Sequence, residues 1–373
     1  MKKHLIAAAV AAAVAVPAAY AQVTVSGVLD LNPYSSLKEE TTTTANTKTR
    51  GSNATNGWTT SNVGFGGTED LGGGLRAAFF VNQQVDAGGA FVARDRWISL
   101  SGGFGSLKVG RFTTAVDGLG GFGMPGATNT AGTPESSGHD FSDGTLGGGT
   151  GAGSFGRQNG VVQYALPKMG ALNITLEMAQ NSADNNAADK AGKTAVSQVG
   201  VRADYAVGQL RLGAAHASRK AKTEAAPVTL GVDSTGTPGT PAVARAETES
   251  KLTWFGGSYN LGPAAITASY GTRSDDNELT GAVARDGKVT ALGITVPMGA
   301  ITLTASIYDG QEDRAAGTAD DRDLEGYQVT ARYALSKRTF FYLATGQNES
   351  NNKTTGTDAA VRTQTNVGLV HSF

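Results

Sequence analysis

Few residues of this chain have the types and spacing that catalysis or ligand binding by side chains requires. Segment 151–156 (GAGSFG) fits the pattern G-x-G-x-x-G, which binds phosphates where it joins a strand to a helix. No strand pattern precedes this segment and no helical pattern follows it, so we interpret it as a glycine-rich loop. The chain has no cysteine, which excludes a disulfide framework, a thiolate metal site and a cysteine nucleophile.

The histidines after the N-terminal segment are too scattered for a metal site or a catalytic triad. They are His139, His216 and His371. Asp140 beside His139 is the one local pair that could act as a base and its orienting carboxylate. A barrel enzyme with catalytic residues in its loops is therefore a rival hypothesis. We predict that the protein is not an enzyme, needs no cofactor and has no recognisable metal-ligand set.

The net charge argues against nucleic-acid binding, and the N-terminus indicates an exported protein. The formal net charge is −1, which gives no electrostatic support for nucleic-acid binding. A basic start, an apolar run over 5–16 and the tripeptide Ala19-Tyr20-Ala21 are typical of a cleaved secretory signal. We therefore expect a signal peptide at 1–21 and a mature chain of 22–373, with 29 basic against 32 acidic residues.

Most of the mature chain alternates between apolar and polar residues with a period of two. The alternation is clearest in 172–178, 199–205, 301–307 and 327–335, and it is the pattern of a strand with one apolar face. The mean hydropathy is −0.19, and no later apolar run approaches the roughly 18–20 residues of a membrane-spanning helix. The sequence therefore predicts an all-β protein.

Short turns and long polar loops alternate between the predicted strands. Sixteen candidate strands are predicted at 22–32, 61–69, 74–84, 92–101, 105–111, 157–167, 171–180, 195–206, 209–218, 250–260, 263–272, 286–297, 300–310, 323–335, 338–347 and 363–373. Tight turns at one end and longer loops at the other are typical of a transmembrane β-barrel. Sixteen strands enclose a lumen too wide for side chains to fill. The polar face must then line water, and the apolar face must contact the lipid bilayer.

The alternation also places charged residues inside the barrel. If Trp97 faces lipid, Arg94 and Arg96 face the lumen, and the same reasoning on the neighbouring strands puts Arg76 and Arg157 there. A charge on the lipid face costs about 2–4 kcal/mol at the membrane midplane, which favours the inward assignment.

Three segments resemble the Gram-negative general porins, specifically the betaproteobacterial branch. They are 61–75 (SNVGFGGTEDLGGGL), 100–111 (LSGGFGSLKVGR) and 159–164 (NGVVQY). Together with the terminal Phe373, the resemblance covers essentially the whole mature chain. It implies a homotrimer of 16-stranded antiparallel barrels in the outer membrane, reached through the periplasm, with small hydrophilic solutes and ions passing by diffusion. It further implies lipopolysaccharide and the outer-membrane assembly machinery as partners.

The resemblance also implies a constriction between a third outer loop folded into the pore and a cluster of arginines. Arg94 and Arg157 align with two positions of that cluster, and the third is Asn62 here. The loop is 112–156, and it has the sequence MPGA at 124–127 where the family often has Pro-Glu-Phe-Gly. This leaves Asp117 as the nearby acid, so we predict a modest anion preference.

Two further expectations concern assembly and the rival functions. The apolar last strand ends in an aromatic residue, Phe373, and resembles the strand that outer-membrane barrels present to their assembly machinery. The alternatives to a general diffusion pore are a substrate-specific outer-membrane channel and a barrel with a ligand-receptor role.

Overall fold

The computed structural model describes most of residues 23–373 and consists of strands and their connections. The described residues are 23–41, 47–51, 54–55, 57–85, 91–117, 130, 155–182, 194–223, 246–280, 282–314, 321–353 and 357–373. The expected signal peptide lies outside them. Within these ranges, no helix is both long and apolar enough to cross a membrane.

One antiparallel sheet contains all the strand segments. In chain order they are β1 Thr24–Thr41, β2 Thr47–Gly51, β3 Ala54–Thr55, β4 Asn62–Gly72, β5 Leu75–Val85, β6 Phe91–Gly102, β7 Gly105–Thr113, β8 Arg157–Ala165, β9 Leu172–Ser182, β10 Thr194–Val207, β11 Leu210–Thr223, β12 Ala246–Asn260, β13 Ala265–Asn277, β14 Ala282–Met298, β15 Ile301–Arg314, β16 Arg322–Ala334, β17 Thr339–Asn352 and β18 Thr357–Ser372.

The sheet closes on itself. From β4 onward each strand pairs with the next, and β1 pairs with both β4 and β18. The closing seam runs from Val28 opposite Ser372 to Thr41 opposite Ala360. Because β2 and β3 are short segments that run beside β1 ahead of β4, the wall has sixteen strands, and the predicted closed barrel is confirmed.

The alternation sorts side chains between the two faces of the wall as predicted. On β15, Ile301, Leu303 and Ile307 are exposed on the outside. Thr304 and Ser306, from the same strand, are buried on the inside. Closure satisfies the backbone hydrogen bonds of every wall strand, as the hydrocarbon layer requires.

The strand boundaries are predicted well at the end of the barrel with the short turns and less well at the end with the long loops. The short turns lie between the predicted strands; Gly73 and Gly74 in the β4–β5 turn have φ of 60° and 80°, a conformation that glycine adopts without strain. At the other end the strands are longer than predicted, because β13 reaches Asn277 and β15 reaches Arg314. There both faces of a strand carry polar and charged residues, so the apolar alternation that defines a strand in the sequence is lost.

The largest buried apolar cluster lies inside the barrel. Val116 and Phe155, from the two ends of the third outer loop, are fully buried in it. The inner wall contributes Ala215, Ala217, Leu252, Trp254, Val289, Ala291, Tyr308 and Leu324. Both ends of the loop therefore pack against the inner faces of β11–β16 instead of projecting outward.

Candidate functional site: the narrowed lumen

The third loop enters the barrel directly after β7, and its first residues are held by β9 and β10. The backbone N–H of Ala115 donates to Glu177 Oε2 on β9 at 2.6 Å. The guanidinium of Arg202 on β10 donates to the Ala115 carbonyl at 3.2 Å. The Thr114 N–H donates to the Gly156 carbonyl, at the returning end of the loop, at 3.1 Å. Both ends of the loop are thus fixed at one position on the inner wall.

Thr130, in the middle of the same loop, is anchored on a different part of the wall. Its carbonyl accepts a hydrogen bond from Gln328 Nε2 of β16 at 3.0 Å. Its hydroxyl accepts one from Asn366 Nδ2 of β18 at 2.8 Å and donates to the Gly57 carbonyl at 3.0 Å. Ala115 thus lies beside β9, and Thr130 lies beside β16 and β18, on the other side of the lumen.

The segment that leads into β4 also lies inside the barrel. Asp30 on β1 is fully buried and accepts from the backbone N–H groups of Trp58 and Thr59 at 2.6 and 2.8 Å. The Tyr342 hydroxyl lies 2.8 Å from Asp30 Oδ1. The Trp58 ring packs on Phe340, with 5.2 Å between ring centroids. Together with Thr130, this segment fills the side of the lumen next to β17, β18 and β1.

A bulge in β6 sets the positions of Arg94 and Asp95 on the other side of the lumen. Val81 pairs with Arg96 and Gln83 pairs with Ala93, so β6 has one residue more than β5 between these pairs. The side chain of Arg94 donates to Gln84 Oε1 at 3.2 Å. The bulge thus brings Arg94 and Asp95 next to each other on the inner side.

Arg157, where the third loop returns to the wall, joins this group through an ion pair. Its Nε lies 2.5 Å from Asp95 Oδ1, and its Nη2 donates to Thr113 Oγ1 at 3.0 Å. A second bulge at Gly160 shifts the register of β8, so simple alternation does not determine where Arg157 points. Arg94 and Arg157 lie close enough to repel each other electrostatically.

The predicted outward orientation of Trp97 is wrong. Trp97 packs inside against Phe112, Val161 and Ala179, because the indole fills a pocket where the third loop leaves the wall. Arg96 consequently shares the outer face with Ile98, and its predicted place in the lumen is wrong as well.

Lys108, which the sequence reasoning missed, lies on the inner face beside this pocket. Its Nζ is 3.9 Å from the centroid of the Phe112 ring and 5.7 Å from that of Trp97. It is directly opposite Gln163 on β8, which in turn is opposite Glu177 on β9. Lys108 could have been found by applying alternation to β7, where Leu107 and Val109 are exposed on the outside.

The other residues predicted for the constriction lie elsewhere along the barrel axis or outside the described residues. Arg76 pairs in register with Asp70 and Ser101 beside the short turns, at the end of the barrel opposite to the loop anchors. Asp117 follows the buried Val116 and is partly exposed. Segment 124–127 and the His139–Asp140 pair lie outside the described residues.

Arginines also line the inner faces of β10–β18. Several form ion pairs with acids of the same wall, among them Arg273 with Asp275 at 3.1 Å, Arg314 with Glu312 at 2.6 Å and Arg362 with Glu39 at 3.2 Å. Further inward-facing arginines are Arg202, Arg219, Arg285, Arg322 and Arg332. The described inner wall therefore carries more basic than acidic side chains.

A closed sixteen-stranded wall with an apolar outside, a charged inside and loop residues bound to its inner face defines an outer-membrane channel. The chain belongs to the Gram-negative porin family, whose model matches residues 7–353. It is accordingly a channel protein of the outer membrane and not an enzyme.

Individual porins resemble the chain along most of its length. Outer membrane porin protein 32 of Delftia acidovorans is 27% identical over 352 residues, which cover 92% of this chain and 88% of that protein. The structure of an anion-selective porin from Comamonas acidovorans superposes with a TM-score of 0.71 and 22% identity, over 95% of this chain and 100% of that one. The trimer form of OmpT from Vibrio cholerae gives a TM-score of 0.60 and 16% identity, over 94% and 99%.

Proposed function

We propose that the protein forms a homotrimer of diffusion pores for small hydrophilic solutes and ions, with a modest preference for anions. The observation that carries this proposal is the position of the third loop. Its described residues bind the inner wall on both sides of the lumen. The inner wall at β6–β8 carries Arg94, Lys108 and Arg157. In our proposal these three residues form one wall of the constriction.

The charges at this wall favour anions. Asp95 pairs with Arg157 and Glu177 lies near Lys108, so these two carboxylates offset only part of the positive charge of Arg94, Lys108 and Arg157. A narrow aqueous passage with low-dielectric walls concentrates the field of the remaining positive charge, and rings of arginine or lysine favour anions. The anion selectivity named for the similar Comamonas porin is consistent with this reading.

Charges far from the constriction contribute less. The mature chain has slightly more acidic than basic residues, which alone would favour cations. At about 0.1 M salt the Debye length is about 10 Å, so exposed acids outside the lumen are largely screened. We expect the anion preference to fall as the salt concentration rises.

Liposome swelling tests the diffusion mechanism. A general pore admits neutral sugars at rates that fall smoothly with sugar size and do not saturate with concentration. Saturation by one solute would instead support the rival hypothesis of a substrate-specific channel or receptor barrel. In planar bilayers, closure in three equal conductance steps is expected for the trimer, and single-step closure would contradict it.

The remaining proposed partners concern the membrane. We propose that lipopolysaccharide surrounds the outer leaflet side of the barrel and that the assembly machinery recognises the last strand with its terminal Phe373. That residue closes the seam, because its N–H donates to the Gly27 carbonyl and its carbonyl accepts from the Gly27 N–H, both at 3.1 Å.

A further inference from the structure

A single peptide group links the buried acid of the first strand to the third loop. The N–H of Trp58 donates to Asp30 Oδ2 at 2.6 Å. The carbonyl of the same peptide group, that of Gly57, accepts from the Thr130 hydroxyl at 3.0 Å. In a trans peptide the N–H and the C=O lie in one plane and point in opposite directions. Asp30 and Thr130 therefore hold opposite edges of the Gly57–Trp58 peptide group.

The Asp30 carboxylate is fully buried, and hydrogen-bond donors surround it. Its Oδ2 also accepts from the Thr59 N–H at 2.8 Å, and the Tyr342 hydroxyl lies 2.8 Å from its Oδ1. Within the described part of the chain, no cationic side chain pairs with it. A buried carboxylate is costly unless hydrogen bonds compensate for the lost water, so Asp30 holds these donors firmly in place.

The carboxylate also strengthens the bond to the loop. Hydrogen bonds to a carboxylate are about twice as strong as bonds between neutral groups, and successive hydrogen bonds polarise one another. Because the Trp58 N–H is bonded to Asp30, the Gly57 carbonyl becomes a better acceptor for the Thr130 hydroxyl. The acid on β1 thus acts on the loop through one amide.

The backbone at Gly57 has little space to shift. Its N–H donates to Asn32 Oδ1 at 3.2 Å, and a Cβ at this position would collide with the Asn32 side chain and the Tyr342 hydroxyl. The Trp58 ring packs on Phe340 and Tyr342, with centroids 5.2 and 5.3 Å apart. The Gly57–Trp58 peptide group is therefore a fixed part of the inner wall.

The strands that carry this network are those that close the barrel. Asp30 and Asn32 lie on β1, and Asn366, which donates to the Thr130 hydroxyl, lies on β18. These two strands pair at the closing seam. The anchor for the middle of the third loop is consequently complete only in a closed barrel.

We infer that Asp30 is the positioning residue of the third loop. Through the Gly57–Trp58 peptide group it fixes the place where Thr130 binds, and with it the width of the passage. This inference rests on the proposed constriction by the third loop and adds the wall residue that controls it.

Single-channel recording in planar bilayers tests the inference with a double-mutant cycle. Asp30→Ala removes both carboxylate oxygens. We expect it to raise the probability of a wider, higher-conductance state about tenfold or more, the factor that corresponds to the loss of one hydrogen bond to a charged group. On a Thr130→Val background, where the Gly57 carbonyl no longer holds the loop, Asp30→Ala should add less than about a twofold change. Equal effects on both backgrounds would show that Asp30 supports the wall without positioning the loop, and would overturn the inference.

Asp30→Asn separates hydrogen bonding from charge. Both variants remove the same negative charge, but the asparagine carbonyl can still accept from the N–H groups of Trp58 and Thr59. Because a neutral acceptor forms weaker bonds than a carboxylate, we expect an effect between those of the wild type and Asp30→Ala. Identical effects of the two variants would mean that the charge alone is responsible, and would contradict a positioning role. Ser269→Ala, which alters another buried polar side chain on the inner face of β13, should match the wild type.

Heat-modifiable gel mobility and native gels show whether each variant folds and assembles. If Asp30→Ala does not fold, the same cycle is run with Asp30→Asn, whose effect must also disappear on the Thr130→Val background. An asparagine variant identical to the wild type would then overturn the inference.

The cycle also distinguishes this inference from the proposed function. If Thr130→Val widens the pore but a folded Asp30→Ala does not, Asp30 is not the positioning residue and the constriction by the third loop stands. If Thr130→Val itself leaves the folded pore unchanged, the proposed constriction fails, and the inference fails with it.

Discussion

Replacing Thr130 by valine removes the hydroxyl that holds the middle of the third loop while keeping nearly the same shape. Thr130 is fully buried, and its hydroxyl satisfies both Asn366 Nδ2 and the Gly57 carbonyl. Leaving a buried polar group unsatisfied costs about 1–3 kcal/mol, so losing both partners should destabilise the docked loop by about 2–6 kcal/mol. Since each 1.4 kcal/mol is about a factor of ten, loop positions away from the wall become more populated by at least about tenfold.

The expected result is a wider and noisier pore. In planar bilayers, Thr130→Val should show larger current fluctuations than the wild type, and in liposome swelling it should admit larger sugars. Thr130→Ser keeps the hydroxyl and should behave like the wild type. The reasoning is refuted if the valine variant folds as a trimer and matches the wild type in both noise and size cutoff.

Three other changes test separate parts of the structure. Deleting Phe373 removes the two backbone bonds to Gly27 and should lower the amount of folded protein in the outer membrane, whereas Phe373→Tyr should not; normal levels after deletion would contradict the assigned assembly role. Glu177→Gln keeps an acceptor for the loop but removes a carboxylate near Lys108, so the zero-current potential should shift toward anions, and a shift toward cations would oppose our account. Gly160→Val should reduce the yield of barrel that shows heat-modifiable gel mobility, because Gly160 has a φ of +60° and a Cβ there would lie 2.4 Å from the Gln180 carbonyl oxygen. The control is Gly103→Ala, where an added Cβ would meet no atom within 4 Å.

The sequence predicts the barrel because one pattern, the alternation of apolar and polar residues, determines most of its strands. Strands such as β15 alternate strictly, since one face meets lipid and the other faces the lumen, and their tight glycine turns mark the opposite end from the loops. This alternation is lost where neither face of a strand is apolar. Beyond Thr272 on β13 and Gly310 on β15, both faces carry polar and charged residues, so the alternation predicts strand ends that come too early.

The inner site is less predictable, because it depends on departures from alternation. The bulges at Arg94 and Gly160 change which face the next residues occupy, and no apolar pattern marks a bulge. Trp97 is apolar yet faces inward, because the third loop creates a buried apolar pocket inside the barrel. Contacts of that kind join segments far apart in the chain, and a single sequence does not reveal them.

The zero-current potential in a KCl gradient tests the central claim most directly. We expect the wild type to be anion-selective, and the double variant Arg94→Ala/Arg157→Ala to shift strongly toward cations because it removes two positive charges and leaves Asp95 without its partner. Arg338→Ala, in the exposed turn between β16 and β17, should leave the potential close to that of the wild type. A cation-selective wild type, or a double variant with an unchanged potential, would contradict the proposed constriction.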